Sequence, residues 1–325
     1  MLTRRTFSLS LLAMPALASR AAAQRADLET AIAGLDQLHS IQVRKGDETV
    51  FAAAPRGPGL DRIANIKSCS KSIVALLLGT AIERGEIDGV DARLGDVAPA
   101  IIPPDATDGV ADITMEDLVT LRAGLERTSG PNYGAWIASS NWLADALGRP
   151  FEAEPGGRML YSTASTHILG AALAEATGES LLALARTRLG APLGIEIPPW
   201  QRDPQGYYMG GNQMGLTPHG MLRVATMVRD GGRFEGSQVV SRDWIERSLQ
   251  SRTSSPWSGL GYGYGWFLSR SGFALARGYG GQIIAVHRAR DLAIAITSDP
   301  NRPARSEGYF GALMELLEGP VLALA

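Results

Sequence analysis

The sequence predicts a mixed α/β (α+β) fold. An antiparallel sheet is flanked by N- and C-terminal helices, and a mostly helical domain is inserted between its halves. Three observations predict it: strand-like segments cluster near the two ends of the chain, the middle alternates helical stretches with Pro/Gly loops, and a helical pattern brackets the strands at each end. Residues 27–38 have helical apolar spacing. Residues 41–43 and 49–53 read as strands joined by a turn at Lys45-Gly46-Asp47. Residues 68–84 are apolar almost all round after the first turn ("SIVALLLGTAIER"), which predicts a buried helix with Gly85 as its C′ residue. Further helices are predicted at 115–121, 141–147, 167–177, 180–189 and 218–230. The tail segments "GYGYGWFL", "GFALARGY", "QIIAVHR" and "LAIAITSD" are short, Gly-bounded and rich in aromatic or β-branched residues, as antiparallel strands are. Residues 305–322 then read as a closing helix. The expected organisation is a split α/β domain at 24–66 and 236–325 around a helical insertion at 67–235.

Residues 1–23 read "MLTRRTFSLSLLAMPALASRAAA". A basic start, an apolar run too short to span a bilayer and a small-residue end predict a cleaved signal peptide. Thr3-Arg4-Arg5-Thr6-Phe7 resembles the twin-arginine (Tat) export signature, so the mature chain is expected in the periplasm or outside the cell, with no stable membrane anchor.

With 325 residues, 45% hydrophobic, the chain can bury a large core, and its net charge of −2 gives no electrostatic footprint for nucleic acid. Cys69 is the single cysteine, so no internal disulfide forms, and the four scattered histidines make no HExxH or CxxC pair. No metal site and no cofactor are expected. Only three of the 31 basic residues are lysines: Lys45, Lys67 and Lys71. A lysine kept beside serines offers what arginine does not, an amine that can lose its proton when desolvated.

That lysine sits in "SCSKS", residues 68–72. On a helix, successive residues turn by about 100°, so Ser68 and Lys71 lie about 60° apart on one face, while Ser70 and Ser72 point about 100° to either side of Lys71. Only Ser68 has the geometry to pass a proton to Lys71. Burial and the positive helix end both favour a neutral amine, and the same end favours an oxyanion. Cys69 reads as a small packing residue and His167 as structural. Two later segments supply partners. Tyr161 follows a Pro-Gly-Gly loop in "EPGGRMLYST" and offers a phenol for proton relay. "RGYGGQIIAV" opens a strand with glycines that let backbone N–H groups approach a ligand. No GxSxG elbow is present.

Together these motifs resemble the serine β-lactamase and penicillin-binding protein superfamily. The resemblance is to its class C-like branch of esterases, D-aminopeptidases and 6-aminohexanoate-dimer hydrolase-like enzymes. "ITMEDLVTLRAGL", "PFEAEPGGRMLYST" and "GLTPHGMLRVATMVRDGGRFEGSQVVSRDWI" carry it as well. The resemblance implies a β-lactamase-like fold and an acyl-enzyme serine hydrolase acting on a small-molecule ester or amide. It makes Ser68 the nucleophile, Lys71 its proton acceptor and Tyr161 a second acid/base. The backbone N–H groups of Ser68 and Gln282 would form the oxyanion hole, with Thr163, Tyr279, Gly280 and Gly281 lining the substrate site. Two departures stand out: Thr163 replaces the Asn of Y-x-N, and Tyr279-Gly280-Gly281 stands for K-T-G, with no lysine after Lys71. Both favour an esterase or amidase. A penicillin-recognising D,D-peptidase or β-lactamase, and a non-catalytic binding protein on the same fold, remain the alternatives.

Overall fold

The structure, a computed structural model, describes residues 22–325. The export signal expected at 1–23 therefore falls, but for its last two residues, outside the described residues. Helix α1 (22–33) starts and ends about one turn earlier than its apolar spacing predicts. It leads into the eight-stranded antiparallel sheet that organises the molecule. The strands in chain order are β1 (Leu38–Lys45), β2 (Glu48–Ala53), β3 (Thr253–Ser254), β4 (Gly261–Tyr262), β5 (Phe267–Leu268), β6 (Ala274–Gly278), β7 (Gln282–His287) and β8 (Leu292–Ser298). Their spatial order is β2-β1-β8-β7-β6-β5-β4-β3. The first and last strand segments of the chain thus lie side by side, where β1 pairs with β8 from Leu38↔Ser298 to Lys45↔Leu292.

Both faces of the sheet are covered, and period-2 patterning sorts large side chains from small ones. Leu292, Ile294 and Ile296 of β8 join Ile283 of β7 on one face, against Leu28 and Ile32 of α1 and Phe310 and Leu313 of the closing helix. Ala293 and Ala295 of β8, with Ile284 and Val286 of β7, face the other way. Each fully buried Leu or Ile contributes about 1.5–3 kcal/mol relative to exposure.

On the alanine-bearing face, the 3₁₀ turn Lys67–Cys69 leads into α2 (Ser70–Glu83). Residues Ser70 to Ala81 of α2 are all buried. Its end is a Schellman motif: Gly85 at φ 69° lets its own N–H reach Ile82 O and the Glu86 N–H reach Ala81 O. Helix α3 (Thr163–Thr177) packs against α2. Helix α4 (Pro218–Arg229), which the sequence placed with the helical insertion, lies on β8, β7 and β1, so the cover of the sheet reaches back to Pro218. The helix expected at 180–189 runs Leu181–Ala185 and then widens into a π-helical turn, Arg186–Gly190. The closing helix α5 spans Tyr309–Leu316 and passes into a second π-helical turn, Leu317–Val321, which contains Pro320. A two-residue ladder pairs Ala64–Asn65 with Gly215–Leu216, tying the segment before the 3₁₀ turn to a loop some 150 residues away.

Gly79 in the middle of α2 is set by packing. A Cβ there would fall inside the indole of Trp244, which donates Nε1–H to Ala75 O at 3.0 Å. In an open helix Gly→Ala gains up to about 1 kcal/mol. Here Gly79→Ala is expected to destabilise by about 1–3 kcal/mol through overpacking, read as a lower urea midpoint at unchanged slope. An unchanged or higher midpoint contradicts this packing.

Candidate active site

Ser68 does not open the α-helix, as its periodicity predicts, but sits on the 3₁₀ turn just before it. Residues three apart eclipse on such a turn, so Ser68 and Lys71 still share a face. The turn is entered through Lys67 at φ 50°, a left-handed conformation that costs a non-glycine residue roughly 1–2 kcal/mol. Asn65 Oδ1 accepts the Lys67 N–H at 2.9 Å, and the Ile66 N–H binds Met214 O at 2.9 Å, so side chain and ladder hold the strained turn. Among the described residues no protein group accepts the Ser68 N–H, and the Ser68 side chain is half-buried. The other hydroxyls of "SCSKS" are occupied: Ser70 Oγ donates to Lys67 O at 2.6 Å and Ser72 Oγ to Gly265 O. The Cys69 thiol is fully buried, is directed at Gln282 O at 3.4 Å, and has its pKa pushed up by burial, which leaves it inert.

Lys71 is 3% exposed. Its Nζ donates to Gly211 O at 2.6 Å and lies 3.1 Å from Ser68 Oγ. No carboxylate pairs with it among the described residues. Desolvation lowers its pKa from 10.5 to about 7. Gly211 is the residue that sequence reasoning missed. A Cβ on it would stand 2.7 Å from Thr163 O and 3.3 Å from Lys71 Nζ, so only glycine lets this carbonyl reach the amine. The loop that carries it is pinned by a fully buried pair: His167 Nε2 meets Asp203 Oδ2 at 3.0 Å, and Asp203 Oδ1 accepts the Tyr207 N–H at 2.8 Å. The adjacent glycines Gly210-Gly211 were the available signal.

Tyr161 is held just before α3 by a clasp. Ser162 Oγ accepts the Thr128 N–H at 3.0 Å, while Ser129 Oγ and Thr128 Oγ1 accept the N–H groups of Thr163 and Ala164, each at 2.9 Å. Its ring stacks on Phe267 at 6.4 Å and lies 4.9 Å from Lys71 Nζ. Burial raises the phenol pKa, and its contact with the Ser68 side chain opposes that shift. The structure therefore brings Ser68, Lys71 and Tyr161 together.

The remaining expected site residues are placed differently. Thr163 is 3% exposed and its hydroxyl pairs with Ser129 Oγ at 2.9 Å, so it faces the protein and not a substrate space. Tyr279, Gly280 and Gly281 form the β6–β7 turn, not the start of a strand. Gly280 (φ 82°) abuts Asp299 O, and a Cβ on Gly281 (φ 92°) would stand 2.6 Å from Tyr309, so these glycines serve the turn and its packing. Gln282 is 1% exposed and pairs with Gly278 across the hairpin, with its side chain bonded to the Ser298 backbone. Both strands of the hairpin touch the nucleophile turn: a Cβ on Gly278 would stand 3.1 Å from Lys67 Cβ, and Gln282 O meets the Cys69 thiol at 3.4 Å. Only Tyr279, 52% exposed, remains at the rim.

The family model described as Beta-lactamase matches residues 39–314. Among solved structures the chain is similar to EstCE1, a hydrolase with promiscuous acyltransferase activity, at 17% identity and TM-score 0.74 over 95% of this chain and 100% of that one. It is similar to a D-stereospecific amidohydrolase from Streptomyces sp. at 17% identity and TM-score 0.69, over 90% and 97%. A penicillin-binding protein homologue from Caulobacter crescentus matches at 17% identity and TM-score 0.67, over 86% and 91%. At such identities the structures speak for the fold. The family match, which spans most of the chain, carries the assignment: this protein belongs to the beta-lactamase family and has its serine-hydrolase fold.

Proposed function

We propose that this protein is an exported serine hydrolase that cleaves an ester or amide of a small molecule through an acyl-enzyme on Ser68. The observation that carries the reading is a buried amine, with no acid paired to it among the described residues, 3.1 Å from a half-buried serine hydroxyl. With its pKa at about 7, Lys71 is largely neutral in mildly alkaline solution, and its lone pair takes the Ser68 proton as Oγ attacks the carbonyl. Tyr161, beside both groups, carries a proton to the leaving alkoxide or amine. Water then enters along the same path, and Ser68 leaves as the alcohol. We assign the oxyanion to the N–H groups of Ser68 and Tyr279, neither of which has a protein acceptor among the described residues. Tyr279 replaces Gln282 in this role because it follows Gly278, which packs on the nucleophile turn, and stands outside the β6–β7 ladder. One such donor contributes about 3–4 kcal/mol. The signal read at 1–23 supports export by the twin-arginine route to the periplasm or beyond.

Incubation with 4-nitrophenyl butyrate or a fluorophosphonate should add one acyl or phosphonyl group to the wild-type protein, mapped to Ser68 by mass spectrometry. Ser68→Ala should lose the label and at least about 10⁴-fold in kcat. Label on another residue, or full activity in Ser68→Ala, sinks the assignment.

The base must be neutral to act, so kcat/KM for the ester should rise with pH through about 7 and flatten above it. Well below that value it should fall about tenfold per pH unit. A profile flat from pH 5 to 9 would show that Lys71 is not the base.

A further inference from the structure

His167 and Asp203 form a polar pair with no side-chain exposure, Nε2 to Oδ2 at 3.0 Å. Trp136 and Trp142 stand edge-on to the imidazole at 5.8 and 5.6 Å, and Asp203 is its only charged partner among the described residues. Apolar side chains of similar volume often serve packing as well as a buried polar pair or better, so packing alone does not account for this one. Its remaining contacts lead to the base. His167 Nδ1 accepts the Gly210 N–H at 3.5 Å, and the next residue, Gly211, gives its carbonyl to Lys71 Nζ at 2.6 Å. Gly210 lies flat on α3: a Cβ there would fall on Thr166 O and stand 3.1 Å from His167 Cα. One ring tautomer serves this chain. Nδ1 accepts, so Nε2 carries the proton and donates it to Asp203 Oδ2. The second oxygen of Asp203 accepts the Tyr207 N–H at 2.8 Å, which aims the carboxylate. At the other end, a neutral amine has two N–H groups and one lone pair. With one N–H given to Gly211 O, the lone pair can face Ser68 Oγ, 3.1 Å away. Tyr161 and Cys69, the other titratable groups around the amine, make no hydrogen bond with it among the described residues.

We propose that His167 and Asp203 are positioning residues for the base: Asp203 fixes the ring tautomer, and the ring holds the Gly210-Gly211 loop so that Gly211 O keeps the Lys71 lone pair on Ser68. The pair touches neither the substrate nor the reacting atoms and acts through the loop alone. Its influence on the amine has a definite sign. A carbonyl that accepts from Nζ binds the ammonium more strongly than the amine, so it raises the proton affinity that burial lowers. Loss of the carbonyl from a still-buried amine therefore makes Lys71 a weaker base and frees its lone pair to turn from Ser68. The proposal rests on the acyl-enzyme reading above, in which Lys71 is the base.

Three near-isosteric variants, assayed with 4-nitrophenyl butyrate from pH 5 to 9, separate the links. Asp203→Asn removes the carboxylate that fixes the tautomer. His167→Gln keeps a donor for Asp203 and gives up the acceptor for Gly210, while His167→Asn keeps the acceptor and gives up the donor. Asp203→Asn and His167→Gln should each lose about 10- to 100-fold in kcat, with KM nearly unchanged. Their kcat/KM midpoint should fall below the wild-type value of about 7. His167→Asn should lose least of the three. A midpoint that stays in place or rises, a loss confined to KM, or a His167→Asn as impaired as His167→Gln overturns the proposal. The wild type gives a check that needs no folded variant. Its His167 ring, assigned in 15N spectra by replacing His39, His219 and His287, should carry the proton on Nε2, and a proton on Nδ1 alone overturns the proposal equally. If Ser68 of the wild type takes no fluorophosphonate, it is the acyl-enzyme reading that has failed.

Discussion

The site depends on keeping a primary amine out of water. Lys71 lies on the first turn of a helix whose next ten residues are buried, and among the described residues no carboxylate balances a charge on it. Holding an ammonium there against a pKa of about 7 would cost on the order of 5 kcal/mol relative to a solvated lysine. The fold avoids that cost by favouring the neutral amine, the form able to take a proton from Ser68. Much of the surrounding architecture follows from this constraint. The helix must be apolar on every side. Besides Ser68 Oγ, its polar partner must be a neutral carbonyl, Gly211 O, and not an acid. A glycine must sit where that carbonyl approaches.

The same logic explains how distant parts of the chain converge. The left-handed Lys67 is held by Asn65 and by the ladder to Gly215–Leu216. The Gly210-Gly211 loop is anchored to α3 by the buried His167–Asp203 pair, and α3 in turn sets Tyr161 through the Thr128–Ser129 clasp. The sheet contributes Gly278, whose lack of a side chain lets β6 rest on the nucleophile turn. Four chain segments, around residues 67, 161, 211 and 278, thus meet around Ser68.

What could be read from the sequence was what is local. The Ser68–Lys71 pair was legible because residues three apart share a face whether the turn is 3₁₀ or α. Strands β7 and β8 were legible because "QIIAVHR" and "LAIAITSD" carry their own periodicity. Tyr161 was found through chemistry and resemblance, since nothing near it in sequence points to Ser68. Residues whose roles depend on remote neighbours were misplaced. Thr163 answers to Ser129, Gly280 to Asp299, Gly281 to Tyr309 and Gln282 to Ser298. Gly211 escaped notice because its partner Lys71 lies 140 residues away. Single glycines and hydroxyls state a local permission, and only the fold says for whom.

The central claim is the neutral Lys71, and the protein's three lysines make it directly measurable. Protein labelled with 13C at lysine Cε gives one resonance each for Lys45, Lys67 and Lys71, assignable with Lys45→Arg and Lys67→Arg. The account predicts that the Lys71 signal titrates with a midpoint at about 7 in the unacylated enzyme. A midpoint near the ordinary lysine value of about 10.4 would contradict it, because Ser68 would then face an ammonium and have no base.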